Sequence, residues 1–140
     1  MGRLLIILPL LILAATALAD DFYGPYRATV LRVIDGDTVE VAVAVWPGDS
    51  RTVLLRLAGV DAPERHAKAA CEREAGEHAA DFSLRFVARS KIIIVRDIRL
   101  GKYAGRVIGR LIVGRRDLGN ALLKAGLARP YDGGKRKPWC

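Results

Sequence analysis

The sequence is short of the residues that mark several protein classes. It has two histidines and two cysteines in 140 residues, and His66, Cys71 and His78 match no zinc-ligand spacing. That argues against a zinc module. After the first twenty residues there is no internal repeat and no low-complexity segment, which argues against a solenoid or a disordered tract. Acidic side chains are also few. Fifteen of them face 23 lysines and arginines, for a formal charge of +8. The cations are spread along the chain rather than massed in a tail. A balance this basic suggests a polyanionic partner, whether nucleic acid, phospholipid or cell-wall polymer. A lipid binder is expected to show a basic amphipathic helix, and the longest helical pattern here opens with Glu72, Glu74 and Glu77 instead.

Long apolar runs are confined to the N-terminus. MGRLLIILPLLILAATALAD has Arg3, then an apolar stretch from Leu4 to Ala15, then Ala17-Leu18-Ala19, a small-x-small cleavage pattern. About twelve apolar residues broken by Pro9 fall short of the roughly twenty that span a bilayer. Residues 1–19 are therefore expected to be a signal peptide for export, periplasmic or extracellular, with a retained anchor as the alternative. Export gives the two cysteines a meaning. In an oxidising compartment an even pair reads as a disulfide, Cys71 to Cys140. It would close a loop of about 70 residues and stabilise the fold by about 2–4 kcal/mol.

The whole chain is 51% apolar and 27% charged, enough for one modest core. Residues 20–27 read as a leader, 28–131 as the domain and 132–140 as an irregular tail. Ala28 to Val45 holds two β-branched runs split by Asp35-Gly36-Asp37, a hairpin signal. Trp46 to Ser50 is a second turn, and Arg51 to Val60 a third strand. From Cys71 to Arg89 the period becomes helical, with Ala75, Ala79, Phe82 and Phe86 as the expected core stripe. Lys91–Ile98 and Arg106–Val113 are two more strands, joined by the glycine-rich loop Arg99–Gly105. Asp117 caps a short helix that reaches Lys124, with Gly126 as its stop. Five strands with one long and one short helix predict an α+β fold, a five-stranded Greek-key barrel of the OB type.

The chemistry concentrates around two carboxylates. Asp37 ends the hairpin turn and Asp61 follows the third strand, so antiparallel geometry brings both to the same sheet end. Each alone is ordinary turn chemistry. Together they require a positive occupant, and oxygen donors suit calcium or magnesium. With Glu64 one short turn further and arginines nearby, the set fits phosphoryl transfer: metal, base and cationic clamps.

At this point the residues resemble the staphylococcal-nuclease-like (thermonuclease) family. The matching segments are Val33-Ile34-Asp35-Gly36-Asp37-Thr38-Val39, Arg56-Leu57-Ala58-Gly59-Val60-Asp61-Ala62-Pro63-Glu64, Lys102-Tyr103-Ala104-Gly105-Arg106 and Asn120 to Ala128, in family order. The resemblance implies an OB barrel and a calcium-dependent phosphodiesterase acting as a monomer on DNA and RNA, with no obligate protein partner. It assigns the metal to Asp37, Asp61 and the main-chain carbonyl of Ala62. Arg56, Glu64 and Arg106 become the catalytic set, with Glu64 as base for the attacking water. Lys102, Tyr103 and Tyr131 become nucleotide contacts. The loop before Arg106 is one residue longer than in the best-known members, Gly101 stands where an acid is common, and the long final helix of longer members has no counterpart before Cys140. Members that have lost this residue set are non-catalytic nucleic-acid-binding OB domains, the alternative function. All five of Asp37, Arg56, Asp61, Glu64 and Arg106 are present here.

Overall fold

Alternating β-branched positions give the first two strands one apolar face, and a two-residue turn folds them together. They form β1 (Tyr26–Asp35) and β2 (Thr38–Trp46). The structure is a computed structural model and describes residues 21–140, so the signal-peptide reading of residues 1–19 lies outside the described residues. β3 (Asp49–Leu57) continues the antiparallel meander, followed by the short β4 (Val60–Asp61), then α1 (Ala70–Val87). β5 (Ile93–Leu100), β6 (Arg106–Val113), the two-residue β7 (Arg116–Asp117), α2 (Leu118–Lys124) and β8 (Arg129–Pro130) complete the order.

The sheet runs β3-β2-β1-β5-β6 and closes on itself where β6 lies parallel to β3, with Leu54 opposite Arg106 and Leu57 opposite Gly109. This is the expected five-stranded OB-type barrel with two helices. Bulges in β1, between Val30 and Arg32 and between Val33 and Asp35, supply the curl that closure needs. A third, between Arg96 and Arg99, contains Asp97 at φ 52°. The interior is filled by Val39, Val41, Leu55, Val95 and Leu111, and Leu118, Leu122 and Phe86 extend it under the helices. Among the described residues no helix is long and apolar enough to cross a membrane.

Three details differ from the sequence reading. The third strand stops at Leu57, because Gly59 takes φ 78° and turns the chain; Val60–Asp61 then forms its own bridge to Arg129–Pro130. Tyr23, in the leader, makes a backbone bridge to Ile98 on β5, while its side chain stays exposed. On α1 the fully buried stripe is Gly76, Ala79, Ala80, Ser83 and Phe86, with Ala75 and Phe82 half-buried at its edge. The helix lies too close to the β1–β2 turn for larger side chains. A Cβ on Gly36 would stand 2.7 Å from the Ala79 Cβ, and Ser83 Oγ donates to the Gly36 carbonyl at 2.7 Å.

Gly76 has the tightest approach. A Cβ there would stand 2.5 Å from the carbonyl carbon of Glu64 and 2.6 Å from the nitrogen of Arg65. Alanine gains up to about 1 kcal/mol in helix propensity, but forcing backbone apart costs about 1–3 kcal/mol. The clash should win, because the neighbours are main chain and have no rotamer to yield. Gly76→Ala is therefore expected to lower the denaturant-unfolding free energy by about 1–2 kcal/mol; a gain in stability would show that the loop at Glu64 yields freely.

Candidate active site

The β1–β2 turn leaves Asp37 only 2% exposed, and Asp61 on β4 is 0% exposed. The register that pairs Thr38 with Arg56 brings the arginine alongside that turn. Its guanidinium bridges the two acids, with Nη1 3.2 Å from Asp37 Oδ2 and Nη2 3.5 Å from Asp61 Oδ1. Asp37 also accepts the Ala62 amide at 2.7 Å and the Thr38 hydroxyl at 2.9 Å. Burial still pushes its carboxyl above the usual range, against the pull of Arg56, Ala62 and Thr38.

Asp61 collects more cations. Arg129, its partner across the β4–β8 bridge, reaches Oδ2 with Nε at 3.2 Å and Nη2 at 3.1 Å. Arg136, from the tail, places Nε 2.7 Å from Asp61 Oδ1, Nη1 2.5 Å from Glu64 Oε1 and Nη2 3.2 Å from the Ala62 carbonyl. Burial opposes the charge of Arg136, but Asp61 and Glu64 more than offset that and hold it above the usual arginine range.

The loop that carries Glu64 is tied down by its backbone. The Glu64 amide donates to Glu72 Oε1 at 3.3 Å and the Arg65 amide to Asp35 Oδ1 at 3.0 Å. The Glu64 side chain remains exposed. The tail is anchored as well. Arg129 stacks on Trp139 at 4.1 Å and donates to the carbonyls of Lys137 and Pro138. Cys140 is disulfide-bonded to Cys71, with their Cα atoms 6.4 Å apart.

The structure thus gathers Asp37, Arg56, Asp61, Ala62 and Glu64. Tyr131 joins them, its ring 5.7 Å from the Arg56 guanidinium, and the two line a cleft of about 230 Å³ with Arg99 and Ile108. Arg106 is not in the cluster. It is exposed, stacks on Tyr103 at 5.7 Å, and makes no ion pair with these acids among the described residues. Lys102 stacks on the same Tyr103 ring, also at 5.7 Å. The register places Arg106 opposite Leu54, a short step along β3 from Arg56.

Sequence reading missed Arg129, Arg136 and the tethering role of Asp35. A signal for Arg136 existed. Cys71 closely follows Glu64, so a Cys71–Cys140 bridge must carry the basic run Lys135-Arg136-Lys137 back toward Glu64. A divalent cation suits the donor chemistry here, since three oxygens, from Asp61, Glu64 and the Ala62 carbonyl, already converge on one cationic group. Among the described residues no three His, Cys, Asp or Glu side chains cluster at metal-holding distance; a main-chain carbonyl would have to complete the set.

Comparisons with known proteins show what the chain is similar to. The family described as "Staphylococcal nuclease homologue" matches residues 54–138. The chain is 27% identical to a thermonuclease of Staphylococcus hyicus, over 91% of this chain and 78% of that protein. It is 29% identical to the protein ParB of Escherichia coli, over 85% of this chain and 65% of that one. An uncharacterized endonuclease of Escherichia coli is 31% identical, over 89% of this chain and 71% of its own length.

The raised pKa of Asp37 has a consequence for stability. A carboxyl whose folded pKa lies above its unfolded value stabilises the fold when protonated, and that stability is lost as pH rises through the folded pKa. At neutral pH the ionised form is therefore a cost, and Asp37→Asn removes it while keeping an acceptor for the Ala62 amide. With chelator present at pH 7, Asp37→Asn should unfold at a higher temperature than the wild type by differential scanning calorimetry. A lower midpoint would mean that the partners of Asp37 outweigh its burial.

Proposed function

The chain belongs to the staphylococcal nuclease homologue family, and from that premise we propose that it is an exported, calcium-dependent nuclease. It hydrolyses phosphodiester bonds of DNA and RNA through attack by an activated water. The observation that carries this reading is the burial of Asp37 and Asp61 about the Arg56 guanidinium, with Glu64 on the adjoining loop. A pure binding domain has no need of two waterless carboxylates beside a base.

Asp37, Asp61 and the Ala62 carbonyl would hold the calcium. When bound, the cation supplies a Lewis acid for a phosphoryl oxygen and charge for the transition state. Glu64 is exposed and its loop is held by the backbone, while its carboxylate meets Arg136; once released from that contact the carboxylate is placed to accept a proton from the attacking water. Arg56 presents a planar fork that can grip two phosphate oxygens and meet the charge that grows on them. Arg106 stands on the neighbouring strand with an exposed side chain free to close on the same phosphate. Lys102 and Tyr103 offer a cation and a ring to the nucleotide, and Tyr131 offers a ring beside the Arg56 cleft. Action as a monomer is part of the same proposal. Export is supported by the N-terminal pattern and by the Cys71–Cys140 disulfide.

Digestion of single- and double-stranded DNA and RNA by the purified protein tests the reading. Hydrolysis should require calcium and stop in excess chelator. Oligonucleotide binding without cleavage would favour a non-catalytic binding domain. Magnesium should bind without supporting full turnover, since it demands a tighter octahedron and gives up water reluctantly.

Substitutions separate the roles. Arg56→Lys keeps the charge and loses the fork, and should slow single-turnover cleavage by roughly 10²- to 10³-fold, the scale of one lost transition-state contact. Glu64→Gln should also slow cleavage, since an amide accepts no proton from water. Both should still bind oligonucleotide, because the other cations supply most of the phosphate attraction. Near wild-type cleavage by both variants would move the site elsewhere.

A further inference from the structure

Arg136 has no part in the hydrolytic scheme, yet it occupies the centre of the oxygen cluster. It rides on a tail fixed at both ends. At one end the Tyr131 amide donates to the Gly59 carbonyl at 3.0 Å, and at the other Cys140 is bonded to Cys71 near the start of α1. Between them lies Gly133, at φ 95° with open space around its α-carbon, followed by Gly134. The turn is held by the Tyr131 hydroxyl, which donates to the Gly134 carbonyl at 2.6 Å, and by the Gly134 amide, which donates to Asp132 Oδ1 at 3.0 Å, so displacement of Arg136 falls to its own side chain.

The three guanidinium nitrogens of Arg136 touch Asp61 Oδ1, Glu64 Oε1 and the Ala62 carbonyl, and Nη2 also lies 3.9 Å from Glu72 Oε1. Asp61 and Ala62 are two of the three groups assigned to calcium, and Glu64 is the one assigned to the water. A guanidinium and a divalent cation would need the same oxygens at the same time. The side chain of Arg136 is 34% exposed, so it has a path to solvent. From this geometry we propose that Arg136 is an intramolecular competitor for the cation. The tail-borne guanidinium neutralises Asp61 and Glu64 until a divalent cation displaces it, and Glu64 becomes available to water only then. This rests on the calcium reading of the site.

Charge balance supports the exchange. With Arg136 seated, the four carboxylates of Asp37, Asp61, Glu64 and Glu72 face the three guanidiniums of Arg56, Arg129 and Arg136. Replacing one guanidinium by a divalent cation leaves the cluster one unit more positive, which favours a phosphodiester anion. The competitor thus couples cation entry to substrate attraction.

The test is calcium titration of the purified full protein by calorimetry, alongside emission of Trp139 in a Trp46→Phe background. Trp139 reports on the tail because it stacks on Arg129 at 4.1 Å. Arg136→Gln should bind calcium roughly three- to tenfold more tightly, the scale of a partly exposed charge-assisted contact. Lys135→Gln removes a neighbouring tail charge that touches none of these oxygens, and should stay within about twofold of wild type. Cys140→Ser, which frees the end of the tail, should shift affinity in the same direction as Arg136→Gln. Trp139 emission should change with calcium at the calorimetric half-saturation. Unchanged or weaker binding by Arg136→Gln overturns the competitor while leaving calcium binding intact. An equal gain in Lys135→Gln reduces the effect to long-range charge and also overturns it. Absence of calcium binding in every form overturns the calcium reading and the competitor together.

Discussion

The carboxylate of Asp61 is shut off from water and held by three guanidinium groups, and much of the molecule is arranged to keep it so. An ionised group without solvent costs several kcal/mol unless charge and hydrogen bonds replace its hydration. Each of its partners comes from a different part of the chain. Arg56 is placed by the β2–β3 register, Arg129 by the β4–β8 bridge and Arg136 by the disulfide-bound tail. The barrel, the short bridge and the cross-link therefore meet at one oxygen pair. Arginine rather than lysine serves at all three positions because its fork satisfies two acceptors at once. Arg56 does so across Asp37 and Asp61, and Arg136 across Asp61 and Glu64.

How much of this was legible in the sequence follows from the range of the forces involved. The barrel strands were readable because β-branched alternation and turn residues act locally. Convergence of Asp37, Arg56 and Asp61 was readable for a related reason: a tight turn fixes hairpin register, and register fixes which residues share a sheet end. What sequence did not show depends on contacts between distant segments. The backbone of Gly76 meets the backbone at Glu64, and Asp35 accepts from the Arg65 amide, yet neither leaves a periodic trace. The break at Leu57 was hidden because Leu57-Ala58-Gly59-Val60 keeps its apolar character through a turn that only the φ of Gly59 reveals.

In the tail, only the place of Arg136 was missed. RPYDGGKRKPWC has no periodicity and reads as irregular, which it largely is. Irregular backbone still delivers side chains accurately when covalent and stacking constraints hold it. Here Cys140 fixes one end, while Trp139 under Arg129 and the carbonyls of Lys137 and Pro138 fix the approach. These constraints make one short segment rigid enough to place Arg136. The two cysteines were readable in the sequence. Their spatial consequence for the residues between Tyr131 and Cys140 needed one further step, that a bridge constrains its neighbours as well as itself.

The same arrangement separates two jobs that a strongly basic chain must keep apart. Lys102, Arg106, Lys135 and Lys137 are exposed and attract polyanions wherever they approach. Arg56, Arg129 and Arg136 are mostly occupied by carboxylates, and their charges are matched within the cluster. Attraction at the surface is therefore general, whereas charge at the chemical centre is held in balance and changes only when one of its members is exchanged. Were the inner arginines unpaired, the polyanion would bind them as readily as it binds the surface, and the acids would have no counter-charge in a waterless pocket. Pairing inside and exposure outside follow from one constraint, that buried charges must be neutralised where solvated ones need not be.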